Sequence, residues 1–252
     1  MQRFYHVFWL FIAVAYAPWV KADFSEQPLH HFFNSRLLKA NEAKLNLNYI
    51  GSVEYGLSEN LEVGTSVLLS IGSIPNFLLK HRMFILGPTE TSFTSFTLIF
   101  PGQYIGGKRF TGSASAQGVV TSYDVNSELS LNVGPMHAYS LLNTKNQSAG
   151  FGDVRTQVEL EVYAALVGLD YYLSSNWGVT AFVLIPFYAN LNEIGDFGDA
   201  NASLFPNLTS YEQDNLVLFV SMTRTWEQFN FEFGVVNFAK TTFPYLAAYW
   251  RI

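Results

Sequence analysis

From residue 44 onward the chain alternates between apolar and polar positions. Leu45, Leu47, Tyr49, Gly51, Val53 and Tyr55 share one face, while Lys44, Asn46, Asn48, Ser52 and Glu54 share the other, with Ile50 the exception. Beyond the polar link 57–60 the rhythm resumes: Leu61, Val63, Thr65, Val67, Leu69 and Ile71 alternate with Glu62, Gly64, Ser66, Leu68 and Ser70. A period of two belongs to strands that present one apolar and one polar face. The same reading predicts strands over 77–86, 91–100, 117–125, 129–142, 158–173, 177–190, 215–226, 229–238 and 245–252. An early short strand over 30–38 brings the total to about twelve. In 229–238, Phe229, Phe231, Phe233 and Val235 oppose Asn230, Glu232 and Gly234. In 158–173, Val158, Leu160 and Val162 are assigned to the outer face and Glu159 and Glu161 to the inner one.

The connections fall into two sets. Those at 58–60, 87–90, 126–128, 174–176 and 227–228 are short and polar, as tight hairpins require. Longer ones, at 101–116, 143–157 and 191–214, lie between most of them. Short turns at one end and long loops at the other are the pattern of an antiparallel up-and-down transmembrane β-barrel, in which the turns face the periplasm and the loops face outside. Counting strands puts both ends of the chain on the periplasmic side.

Composition narrows the class. Hydrophobic residues make up 49% of the 252 and charged residues only 13%, against about 25% charged in an ordinary soluble domain. Aromatics reach 17%, which suits strands and the aromatic girdles of a barrel. Past residue 22 no apolar run is long enough for a spanning helix, so a membrane barrel accommodates this composition best. The rival all-β reading, a secreted β-sandwich, would bury the apolar faces instead. The net charge is −6 with no basic stripe, which argues against nucleic acid as a partner. The absence of cysteine removes disulfides, thiolate metal sites and cysteine nucleophiles. Residues 1–22 read as a signal peptide, with Arg3 as the positive segment, an apolar stretch over 7–16, and small residues Val20 and Ala22 ahead of the cut. Residues 23–252 then form the barrel.

The closing stretch Tyr245-Leu246-Ala247-Ala248-Tyr249-Trp250-Arg251-Ile252 places Leu246, Ala248, Trp250 and Ile252 on one face. It resembles the carboxy-terminal strand by which the assembly machinery recognises outer-membrane barrels, although it ends in Ile rather than Phe. Two further stretches, Glu54-Tyr55-Gly56-Leu57-Ser58-Glu59-Asn60-Leu61-Glu62-Val63, running on to Pro75-Asn76-Phe77-Leu78-Leu79-Lys80, and Gly150-Phe151-Gly152-Asp153, resemble a group of porin-like outer-membrane barrel proteins. That resemblance implies a barrel with a hydrophilic interior in the outer membrane of a Gram-negative bacterium. Its surroundings would be outer-membrane lipid and lipopolysaccharide. It carries over no catalytic residue and does not set an oligomeric state.

Candidate chemistry sits on the polar faces. Glu54, Glu62, Lys80, Arg82, Glu159, Glu161 and Glu232 are expected to line the lumen, where charges of both signs would set ion preference in a passive channel for small polar solutes. The competing expectation is that the same charges pair across the lumen and close it, leaving a structural or surface-interaction role for the loops. Twelve strands lie between the filled eight-stranded barrels and the open sixteen-stranded ones. An enzyme is not expected, because His137 and Ser140 fall on opposite faces of a strand and no G-x-S-x-G elbow is present. No cofactor motif appears, since Gly106-Gly107-Lys108 lacks the rest of a phosphate loop. His30-His31 reads as a solvated terminus rather than a metal site. The acidic loop residues Glu193, Asp196, Asp199, Glu212 and Asp214 read as a soluble loop, with cation bridging to surface lipid the alternative. The triplets at Asn201 and Asn207 match the N-glycosylation pattern, which is without meaning in a bacterial outer-membrane protein.

Overall fold

A computed structural model describes residues 29–46, 51–105, 108–146, 154–195, 216–226, 229–238 and 241–251. The expected signal peptide, most of the acidic loop and the triplets at Asn201 and Asn207 lie outside these residues. Among them run β1 (Ala43–Asn46), β2 (Ser52–Ser58), β3 (Leu61–Ser66), a short helix α1 (Val67–Ile71), β4 (Asn76–Leu86), β5 (Thr89–Ile105), β6 (Lys108–Asp124), β7 (Leu129–Asn146), β8 (Val154–Ser174), β9 (Trp177–Gly195), β10 (Val217–Trp226), β11 (Phe229–Phe238) and β12 (Thr241–Arg251). Every strand pairs antiparallel with its sequence neighbours, and β12 returns to β1 to close an up-and-down barrel. The fold is all-β with twelve strands, as the alternation predicts.

The faces follow the pleat. On β11, Phe231, Phe233 and Val235 are exposed outward while Asn230 and Glu232 are buried inside. Leu45, Val53 and Tyr55 are likewise exposed, opposite buried Lys44 and Glu54. At one end of the barrel every connection is a tight turn of two to four residues, while at the other they run from two residues to the 21 between β9 and β10. In one of the tight turns, Asn126 Oδ1 accepts from the N–H groups of Glu128 and Leu129, each at 2.8 Å, the local pairing that favours Asn in turns.

The strand total agrees with the sequence reading because two errors cancel. Residues 30–38 form no strand, and the stretch 44–55 is two strands, β1 and β2, folded back on each other with Lys44 opposite Glu54. The alternation of 61–71 also stops early. At Ser66 the chain turns into α1, whose Leu69 N–H is capped by Ser66 Oγ at 3.3 Å. Asn76 holds this corner by donating to the Ser66 and Ile74 carbonyls at 3.0 and 3.1 Å. Local side-chain capping here overrides a pattern that reads as strand.

Residues 101–105 and 108–116, expected to be part of a loop, belong instead to β5 and β6, and β7, β8 and β9 also extend beyond their expected bounds. Glycines give the stretch 101–116 the composition of a loop. Gly112 pairs within the sheet between Phe100 and Leu142 at a φ of 140°, a conformation open to glycine but strained for other residues. A Cβ there would lie 2.0 Å from the Leu141 carbonyl oxygen. The wall is therefore uneven, with 17 to 21 residues in each of β5 to β9 and only 4 to 7 in β1 to β3.

Gly112→Ala should destabilise the barrel by about 1–3 kcal/mol, the usual cost of a forced backbone strain, with Gly87→Ala, where a Cβ meets nothing, as a milder positive-φ control. Urea unfolding followed by tryptophan fluorescence measures the difference.

Candidate functional site

The inward polar residues do not face an empty lumen. Residues 29–38 run inside the barrel near its tight-turn end, and Leu29, His30, Asn34, Ser35, Leu37 and Leu38 are all buried. The segment enters over a turn at 39–42, where Asn41 donates to the Gly56 carbonyl at 2.8 Å and Gly56 donates to the Glu42 carbonyl at 2.9 Å. Gly56 permits this approach, because a Cβ there would lie 2.1 Å from the Lys39 carbonyl oxygen.

The wall grips the segment from nearly every side. Lys80, on β4, donates to the carbonyls of His31 at 2.8 Å and Arg36 at 2.6 Å and to Asn34 Oδ1 at 3.3 Å. Lys44, on β1, donates to the His30 carbonyl at 2.9 Å. Glu62, on β3, accepts from the Leu38 N–H at 2.9 Å and lies 2.8 Å from His30 Nε2. Across the lumen the Ser35 N–H donates to Ser122 Oγ at 2.9 Å. From there a chain of side chains runs along β6, β7, β8 and β9: Ser122 to Asn132 at 2.5 Å, Asn132 to Asp170 at 2.8 Å, Thr180 to Asp170 at 2.7 Å. It returns to the segment through His31 Nε2, 3.0 Å from Thr180 Oγ1. The Leu29 N–H donates to the Tyr172 hydroxyl.

Arg36 closes the tight-turn rim by pairing with Asp124 and, at 3.4 Å, with Glu90, which also holds Arg82 at 2.8 Å. Burial disfavours the Arg36 charge, but the hydrogen bond to Asp124 and the charges of Asp124 and Glu90 outweigh it and raise its pKa. Such interlocked charges are costly to leave unpaired in a low-dielectric interior, so each side-chain partner fixes the segment in place.

The expected lumen residues separate into two groups. Glu54, Glu62, Lys80 and Glu232 are buried inside around the segment, and Arg82 joins the rim network. Glu159 and Glu161 are on the outer face, contrary to expectation. The phase of β8 is set by Asp170, which faces Asn34 and Asn132 inside. Counting back by twos puts Leu166, Ala164 and Val158 inside, where all three are buried. The carboxylates therefore turn outward, where Glu161 meets His137 at 3.1 Å and Tyr163 at 3.0 Å, and Glu159 meets Tyr139 at 3.1 Å. The apolar-out assumption fails on this strand because the lumen at that level is itself apolar.

His30-His31 is also corrected, from a solvated terminus to a buried element of the lumen. Candidate ligand atoms of His30, Glu54 and Glu62 lie within 4.8 Å of one another. Lys44 Nζ already stands 3.2 Å from His30 Nδ1 and 3.7 Å from Glu54, so the carboxylates are supplied with a cation by the chain itself. Sequence reasoning missed Asp170, Asn132, Thr180 and Glu90. It also missed the segment, although the doublets Phe32-Phe33 and Leu37-Leu38 break the alternation that a wall strand would keep.

Above the segment, away from the tight turns, lies a cavity of about 420 Å³ lined by Phe33, Phe96, Phe182, Phe219, Val236 and Tyr245 among others. The segment supplies part of its floor. Phe32 and Phe33 pack against a core of Val120, Met136, Ala164 and Leu166, and the Phe33 and Phe182 rings are 4.4 Å apart.

Fold and site together define an antiparallel β-barrel plugged by its own amino-terminal segment. No protein-family model matches the chain, and no curated protein matches it.

Lys80→Met should cost about 3–5 kcal/mol, as expected when one member of a buried charged network is removed. Folded barrel carrying it should be cut by trypsin after Arg36 and Lys39 markedly faster than the parent, measured as the rate at which the new amino terminus appears.

Proposed function

We propose that this chain is a bacterial outer-membrane barrel that passes small solutes through its lumen, with residues 29–38 as a resident plug. The barrel supports that reading by its apolar outward face, with exposed Phe77, Met83, Val133, Leu218, Phe233 and Leu246, and by connections that are all short at one end and include the longest, 196–216, at the other. About 9–11 tilted residues cross the hydrocarbon of a bilayer. Counted from the turn at 175–176, Glu159 and Glu161 fall beyond that stretch, so their outward charges stand in or above the headgroups. His137, Tyr139 and Tyr163 beside them match an interfacial aromatic girdle.

The observation that carries the proposal is the plug itself. Its backbone and side chains neutralise a lumen lined by Glu54, Glu62, Glu90, Asp170 and Glu232 against Lys44, Lys80 and Arg82. With the plug displaced, carboxylates outnumber cations and the passage prefers cations. The density of bonds holding the plug favours a second reading, a permanently closed barrel with a structural role.

Planar-bilayer recordings separate the two. The parent protein should be nearly silent. A variant lacking residues 29–38, or Asn34→Ala/Arg36→Ala if that barrel does not assemble, should give discrete cation-selective steps. Glu232→Gln should weaken the selectivity, while Glu159→Ala, on the outer face, should leave it unchanged. Silence from a folded, inserted barrel without its plug would support the closed reading.

A further inference from the structure

The polar belt is filled by the plug, and the space that remains is of a different character. Its wall carries a continuous run of aromatic rings, Phe33 to Phe182 at 4.4 Å, Phe182 to Phe219 at 4.7 Å and Phe219 to Tyr245 at 4.9 Å. The charged groups on its floor already have partners, Lys44 with Glu54 at 3.7 Å, Lys80 with the carbonyls of His31 and Arg36, and the Glu62 and Glu232 carboxylates with the Leu38 N–H and Ser221 Oγ, so none is left for a charged ligand. Two buried polar atoms at its margin make no hydrogen bond: Thr94 Oγ1, beside Phe96 on β5, and Asn46 Oδ1, at the end of β1. Thr94 is fully buried and Asn46 is 8% exposed. A buried acceptor without a donor is costly, and a concave, mostly apolar pocket with a few polar groups is the usual form of a small-molecule site.

We propose that this cavity binds a small uncharged molecule, largely aromatic or alicyclic and carrying one hydroxyl. The rings stack on the Phe182–Phe219 wall, and the hydroxyl donates to Asn46 Oδ1 or pairs with Thr94. A volume of about 420 Å³ admits on the order of ten to fifteen non-hydrogen atoms at protein-like packing. Charged solutes are rejected, because their desolvation is not repaid by any free countercharge. The inference rests on the barrel reading above and narrows its solute from polar to amphipathic. It does not require the plug to move.

The test is equilibrium dialysis of 2-naphthol against the full-length barrel in lipid nanodiscs, with empty nanodiscs measuring partition into lipid. Saturable binding of one molecule per barrel is expected. Leu184→Trp, which fills the cavity, should abolish it, and Ala116→Phe serves if that variant does not fold. Thr94→Val or Asn46→Leu should weaken binding about 3- to 10-fold, the range for one neutral hydrogen bond, and naphthalene-2-sulfonate should not bind. Uptake that never saturates, or that is the same in the filled barrel, would overturn the proposal, as would equal binding of the sulfonate. Saturable binding in a barrel that stays silent after plug removal would retain this site and reject the channel.

Discussion

The structure depends on a requirement that buried charge be answered. Twelve strands of alternating residues bring Lys44, Glu54, Glu62, Lys80, Asp170 and Glu232 into one enclosed belt. The strand pairing satisfies the backbone of these residues but does nothing for their side chains. An ammonium such as Lys80, wholly out of water, needs acceptors on several sides. The wall strands run too regularly to offer their own carbonyls, which are used in the ladders. An irregular segment inside the lumen can offer them, and residues 29–38 do so with the carbonyls of His31 and Arg36 and the Asn34 amide. The plug and the belt are therefore one construction, each supplying the other's hydrogen-bond partners.

That construction divides the lumen into two levels. Near the tight turns it is polar and full. Above, the inward residues turn apolar, and β8 shows the switch within one strand, from Asp170 to Leu166, Ala164 and Val158. On the outside the order is reversed at the same height, with Glu159 and Glu161 among tyrosines. The two faces do not switch together: the inner wall turns apolar from Leu166, Phe182 and Phe219, within the stretch proposed to cross the bilayer, while outward carboxylates begin only beyond it, at Glu161 and Glu159.

How far the sequence disclosed this varies by element. β11 was plain, because aromatic and polar residues alternate without exception from Phe229 to Phe233. The strand class and total were legible for the same reason, although 44–55 hides a reversal. A fold-back there leaves the period of two intact on both arms, so the pattern marks it only by the one exception, Ile50. The strand residues 101–105 and 108–116 were masked by glycines that serve a kinked sheet rather than a loop. The inward placement of Glu54, Glu62, Lys80 and Glu232 followed from alternation alone. Their partners did not, since a segment held by hydrogen bonds to wall residues as scattered as Lys44, Lys80, Ser122, Asp170 and Thr180 has no periodicity of its own. Glu159 and Glu161 were misplaced because the phase of β8 is fixed by contacts of Asp170 that only the folded barrel creates.

The most direct test of the plug uses the absence of native cysteine. The Ser35 N–H reaches Ser122 Oγ at 2.9 Å across the lumen, so a Ser35→Cys/Ser122→Cys pair tests that proximity. If the segment occupies the lumen, mild oxidation of the folded barrel joins the two, and mass spectrometry finds their peptides linked within one chain. If both thiols stay free and react readily with a bulky maleimide in the folded barrel, the segment lies outside and the account of a plugged lumen is wrong.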